Sequence, residues 1–269
     1  MVTFVIRVLD GLQVSDDELQ NNAFRVLCVA GALLLLETFI IRGPPRTHIL
    51  RTFLGNEAQP KKASRLVSQL AARLIGCLFL VVMDPVLKQD KLYARSDTAQ
   101  ACVIVAAGYF LYDVFICLMR FDENGLAFLI HALGCCTVFT YAALHGILLY
   151  YGVAFLMWEL STPFVYVRWV LLKLGLANSR LFFMNNLVGF LVFISCRNIY
   201  GPLTSWDFYK ASSADLASPR PGSFQPLTYY FFWVMCILLN GLNYYWAGEM
   251  IKLAAGKPHP KHAKQAKQS

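Results

Sequence analysis

The amino-acid sequence predicts an all-α membrane protein, a helical bundle of about seven transmembrane helices. Three observations predict it. Hydrophobic residues make up 57% of the 269 and charged residues only 15%, against about 25% charged in an ordinary soluble domain. Seven separate runs approach the roughly 20 apolar residues that a span needs. Charge is also distributed unevenly between the connections, as it is in membrane proteins that obey the positive-inside rule.

The first 22 residues hold a short apolar stretch, 2–9, then the acidic cluster Asp16, Asp17 and Glu18. Positive charge does not lead and the apolar stretch is short, so a surface segment fits better than a cleavable signal. Apolar runs follow at 24–41, 66–83, 101–119, 126–144, 146–165, 181–199 and 227–251. Only His145 separates the fourth from the fifth, which predicts either a tight hairpin or a re-entrant unit. Pro163 should kink the fifth, because proline removes a backbone donor. Residues 201–226, with Ser212, Ser213, Pro219, Pro221 and Pro226, read as a mobile, turn-rich lumenal loop.

Between the first two runs, Arg42, Arg46, Arg51, Lys61, Lys62 and Arg65 face only Glu57. The next connection is neutral, and the tail after the last run carries five lysines and no acid. The basic loop and the C-terminus therefore belong on the cytosolic side. An odd number of spans then puts the N-terminus in the lumen. The net charge of +8 serves orientation on this reading, and no nucleic-acid partner is expected. All eight cysteines fall in apolar runs without a CxxC pair or a histidine-spaced cluster, so neither a disulfide framework nor a metal site is expected. The division expected is 1–64 for the N-terminal segment, first helix and basic linker, 65–252 for a six-helix membrane domain, and 253–269 for a basic tail.

Ionisable side chains at membrane depth cost several kcal/mol and normally face a bundle interior. Glu37, Arg73, Asp113, His131, Glu159, Arg197 and Glu249 lie in the runs. Arg73, Glu249 and Arg197 lie near run ends, where they can snorkel. Asp113 is deeper, with Tyr109 four residues earlier on the same face. His131, Gly134, Cys135 and Val138 form one stripe at helical spacing. This constellation has two readings: a buried Asp–His or Asp–Tyr hydrogen bond that glues helices, or a proton-handling or ligand-binding pair in a cavity. Glu159 and Thr162 share a face of the fifth run. Asn186 lies in a small, polar segment of the sixth, and Cys236, Asn240 and Asn243 form an inward stripe on the seventh. The polar faces of the later runs thus converge on an amphiphile-sized cavity.

These residues resemble the TLC-domain family, the ceramide synthases and their relatives. The resemblance rests on Arg65-Leu66-Val67-Ser68, Gly-Tyr-x-x-Tyr-Asp at 108–113, Ile130-His131, Glu-Leu-Ser-Thr-Pro-Phe-Val-x-x-Arg-Trp at 159–169, and Leu242-Asn243-x-x-Trp246. The Ser-Thr-Pro-Phe-Val stretch is most similar to the TLC domain-containing protein 4 branch. The resemblance implies an endoplasmic-reticulum membrane protein with helices around a lipid-sized cavity. In ceramide synthases a His-His pair and an Asp-x-Ser-Asp stretch transfer an acyl group from coenzyme A to a sphingoid base. Here His131 is followed by Ala132, and the second stretch reads Glu159-Leu160-Ser161-Thr162.

With those groups altered, the expected function is lipid handling: binding an acyl chain or sphingoid-type amphiphile, in membrane lipid homeostasis. Tyr109, Asp113, His131, Cys135 and Glu159 are the expected lipid contacts, with Thr162, Asn186, Asn240 and Asn243 in support. The alternative is a ceramide-synthase-like acyltransferase, in which His131 is base or acyl carrier, Asp113 or Glu159 orients it, and acyl-coenzyme A is co-substrate near Arg168 and Lys173. A transporter or structural membrane protein is the third option. No cofactor is expected; membrane lipid is the expected partner, with a homo-oligomer possible.

Overall fold

The computed structural model describes residues 15–42 and 85–255, the side chains of 36–42, 123, 166, 169 and 173 excepted. Every regular element among them is helical. In chain order they are α1 (Asp16–Arg42), a 3-10 turn (Pro85–Lys88), α2 (Asp97–Met119), α3 (Phe121–His145) and α4 (Leu149–Phe155). A second 3-10 turn (Leu156–Ser161), α5 (Thr162–Lys173), α6 (Arg180–Phe193), a π-helical segment (Ile194–Tyr200), α7 (Gly201–Ala217) and α8 (Pro226–Ala254) complete the described elements. Among the described residues three stretches are long and apolar enough to cross a membrane: Asp97–Met119, Asn124–His145 and Arg180–Ala217. The expected second run, the basic linker, Arg73, the side chain of Glu37 and residues 256–269 of the tail lie outside the described residues.

Local chemistry sets the helix ends. Asp16, Asp17 and Glu18 place negative charge at the positive end of α1, and Ser15 Oγ accepts the Glu18 N–H at 3.2 Å. The helix α1 lies flat on α2 because Gly108 has no side chain: a Cβ there would sit 2.5 Å from the Val29 Cβ. Gly146, at φ 63°, closes α3 in the left-handed conformation. Leu148 also has a positive φ, 53°, which for a leucine stores strain of about 1–3 kcal/mol. Its N–H donates to the Leu92 carbonyl at 3.0 Å, which fastens the turn.

The structure corrects the sequence reading in two places. The run 146–165 is not one kinked span but three pieces, α4, a 3-10 turn and the start of α5. Pro163 stands in the first turn of α5, where its missing N–H costs nothing, so it starts a helix instead of bending one. Seven uninterrupted spans are therefore not found among the described residues. The second correction concerns 201–226. Residues 201–217 form α7, which continues α6 through the π segment, with Pro202 just after the π turn. Its polar composition reflects its neighbours: Asp207 pairs with Lys91 at 2.8 Å, and Ser212 accepts from Trp233 Nε1 at 2.8 Å.

Only 218–225 remains as a connection, and it is fastened. Arg220 pairs with Asp90 at 2.9 Å, and Phe224 is buried. Arg95 binds both Glu18 (3.2 Å) and the His145 carbonyl (3.1 Å). One end of the bundle thus gathers the starts of α1, α2, α4 and α8 with the end of α3.

Candidate functional site

The π segment decides the centre of the molecule. A π turn adds a residue to the helical repeat, re-aims the side chains within it and recurs at functional sites. Here it carries Arg197, only 7% exposed. Its Nε donates to Ser161 Oγ at 3.1 Å, Nη1 to Asn243 Oδ1 at 3.2 Å, and Nη2 to Glu159 Oε1 at 3.3 Å. Its guanidinium also lies 5.4 Å from the Phe193 ring centroid. Thr162 Oγ1 donates to the other Glu159 oxygen at 2.8 Å. Both oxygens of a buried carboxylate are thus engaged, as a charge in a low-dielectric interior requires.

The neighbouring helices make this possible. Gly189 lets α6 approach α5, since a Cβ there would lie 2.6 Å from the Phe164 Cβ. Gly201 lets α7 pass beside Trp158, whose Nε1 would be 2.6 Å from a Cβ at that position.

Beside the ion pair lies a cavity of about 730 Å³, open mouth included, walled mainly by apolar and aromatic side chains. Glu159, His131 and Cys135 line one part; Leu148, Phe208 and Phe232 line another. Along α3 the wall runs from His131 to Ala142, about 16 Å at 1.5 Å per residue. The cavity is therefore elongated, and apolar except near Glu159. The strained Leu148 is part of its wall.

The expected site residues divide into three groups. His131, Cys135 and Glu159 line the cavity. Thr162 and Asn243 stand behind, bonded to Glu159 and Arg197. Tyr109 and Asp113 lie on α2 within electrostatic reach of Glu159 but not on the cavity wall. Asn240 ties α8 to α7, donating to Ser205 Oγ at 2.8 Å. Asn186 accepts from Arg168 at 3.0 Å, so it joins α6 to α5 away from the cavity.

Neither expected glue bond forms among the described residues. Cys135 Sγ is the hydrogen-bond partner of His131, 3.6 Å from Nε2, and no bond links Asp113 to His131 or to Tyr109. The His131 ring instead meets Trp246 edge-on, with centroids 5.2 Å apart. Arg197 is the residue the sequence reading set aside. The apolar run stops at 199, which puts Arg197 near an interface, whereas the helix continues to 217. Glu159, a buried anion without a cation in its own run, was the signal that could have found it. Among the described residues no group of His, Cys, Asp and Glu could hold a metal ion.

Fold and site together define an α-helical membrane protein that encloses an elongated apolar cavity with a charged, hydrogen-bonded wall at one part. The chain belongs to the TLC-domain family: the model of that domain matches residues 64–252. It is 28% identical over 198 residues to an uncharacterized TLC domain-containing protein of Schizosaccharomyces pombe, covering 73% of this chain and 66% of that relative. It is likewise 28% identical to TLC domain-containing protein 4 of Homo sapiens over 199 residues, 72% of each chain. Human protein CLN8 is 27% identical over 173 residues, 59% of this chain and 58% of that protein.

Proposed function

We propose that the protein holds one lipid amphiphile in this cavity and acts in membrane lipid homeostasis. The observation that carries the reading is the Glu159 carboxylate at the wall of an otherwise apolar space, fixed by Arg197 and Thr162. A buried ion pair is a poor way to gain stability, because desolvation offsets most of its attraction. A cavity that must recognise a polar head group gives it a purpose. A carboxylate and an imidazole offer acceptors, so the preferred head group donates hydrogen bonds: an amine or hydroxyl, as in a sphingoid-type amphiphile. The hydrocarbon tail follows the apolar wall toward Phe208 and Phe232.

A ceramide-synthase-like transfer with a carboxylate orienting His131 has less support, since no carboxylate bonds that imidazole among the described residues. In this reading the membrane is that of the endoplasmic reticulum, with the basic linker and tail cytosolic and the N-terminus lumenal, in keeping with the loop charges. The test is head-group preference in detergent-free nanodiscs. A long-chain amine or alcohol should displace a bound fluorescent amphiphile, and the matching carboxylic acid should not. In Glu159→Gln the preference should shrink. Equal displacement by all three in the unaltered protein would refute the reading.

A further inference from the structure

We propose that the connection 218–225 reports whether the cavity is filled: a bound chain releases the strained Leu148, and the connection loosens with it. The inference rests on the reading of the cavity as a lipid site and gives that site a readout at the end of the bundle. Leu148 is 3% exposed and lines the cavity. A leucine stays at φ 53° only when its surroundings over-determine it. Two features do so. Gly146, two residues earlier, turns the chain at φ 63°, and the Leu92 carbonyl accepts the Leu148 N–H at 3.0 Å.

Three hydrogen bonds lead from Leu148 to the connection, and that one is the first. The Leu92 N–H donates to Asp90 Oδ1 at 3.1 Å, and Arg220 Nη1 donates to Asp90 Oδ2 at 2.9 Å. The same guanidinium lies over the Tyr93 ring, 4.8 Å from its centroid. Phe224 meets that ring at 4.5 Å and gives its N–H to the Tyr93 hydroxyl at 3.0 Å. Residues 90–93 are therefore gripped by Leu148 on one side and by the connection on the other. Apolar packing follows the same route. Leu92, Leu148, Phe208, Phe224 and Phe232 share one buried cluster, and Leu148, Phe208 and Phe232 also line the cavity.

A chain that fills the space beside Phe208 and Phe232 presses on Leu148. With α4 fixed, rotating φ of Leu148 to a negative value swings the preceding peptide plane, and its N–H leaves the Leu92 carbonyl. Residues 90–93 then lose one of their two anchors. Strain released at Leu148 favours the loosened state, and packed elements with two arrangements amplify a small push. Such a coupling is reciprocal: what the chain does to the connection, the connection does to affinity for the chain.

The experiment follows hydrogen exchange of 218–225 in the full chain, in nanodiscs with and without saturating hexadecylamine. Native mass spectrometry of the same samples reads the bound amine. Binding should lower protection of 218–225 about 10-fold, within the usual range of site-to-site coupling. Arg220→Gln, a change at an exposed side chain, frees the connection beforehand and should bind the amine more tightly, by up to the same factor. In Leu148→Gly the positive φ carries no strain, so protection should be equal with amine bound and without it. Should Leu148→Gly fail to fold, Arg220→Gln decides alone. Protection unchanged or raised by bound amine, a response that survives Leu148→Gly, or unchanged affinity in Arg220→Gln overturns the coupling and leaves the lipid-holding function standing. An unaltered chain that takes up no hexadecylamine overturns both.

Discussion

Replacing Arg197 with methionine tests the polar centre most severely. The substitution keeps an unbranched side chain and removes three donors at once, to Ser161, Asn243 and Glu159. Both partners of the ion pair have side chains 8% exposed, so the Glu159 charge left behind cannot reach bulk water. Breaking a buried pair from one side costs about 3–5 kcal/mol. On the scale of about 2–4 °C per kcal/mol for chains approaching this size, that is a Tm loss of roughly 6–20 °C. Glu159→Gln together with Arg197→Met removes both charges and should recover part of it, a coupling of about 0.5–3 kcal/mol. Lysine should not substitute for the arginine, because one ammonium cannot reach three acceptors arranged for a guanidinium fork. Thermal unfolding in a fixed detergent, read by intrinsic fluorescence, measures all four proteins. If Arg197→Met melted within about 1 kcal/mol of the unaltered protein, as an exposed pair would allow, the buried clamp would be refuted.

Other expectations follow from the same geometry. Gly189→Ala should cost about 1–3 kcal/mol through overpacking, since the new methyl meets the Phe164 Cβ at 2.6 Å; an unchanged denaturation midpoint would contradict the close α5–α6 approach. Ala142→Phe, on the cavity wall, should shorten the acyl chains that co-purify, as lipid mass spectrometry would show, and an unaltered chain profile would contradict the proposed tail path. At the end of the bundle, partial burial pulls the Asp90 carboxyl upward. The Arg220 guanidinium and the N–H groups of Tyr93 and Leu92 outweigh it, and hold Asp90 below its ordinary value. Its contribution is therefore fully present above the ordinary carboxylate range, near pH 3.9, and is lost as pH falls through the lowered value. Hydrogen exchange of 218–225 should then stay slow, after correction for intrinsic rates, from pH 7 to about 5 and quicken only below about 4; loss of protection already near pH 6 would contradict the Asp90–Arg220 latch.

The fold was legible where apolarity alone decides. The run at 101–119 became α2 at Asp97–Met119 and the run at 227–251 became α8 at Pro226–Ala254, each extended by polar end residues that hydropathy cannot see. It was illegible where proline carries two meanings. Pro163 resembles a helix breaker in sequence, yet it stands in a first turn, while Pro202 follows the π turn inside a continuing helix, and only three-dimensional context separates these uses. The same blindness hid Arg197. Once 201–217 is read as a loop, an arginine at 197 lies near an interface; once it is helix, that arginine lies in the middle of a 38-residue stretch and needs an anion. Helical periodicity did place His131 and Cys135 on one face. It could not pair Glu159 with Arg197, which are 38 positions apart in the chain.

The most direct measurement of the central claim is native mass spectrometry of the protein released gently from nanodiscs, comparing the unaltered chain with Val138→Trp. Val138 is on the cavity wall and outside the Arg197 cluster, so the indole should fill the space without touching the ion pair. One retained amphiphile per chain in the unaltered protein, lost in Val138→Trp at similar thermal stability, is the result expected. Equal retention in both, or none in either, would contradict a lipid held in this cavity.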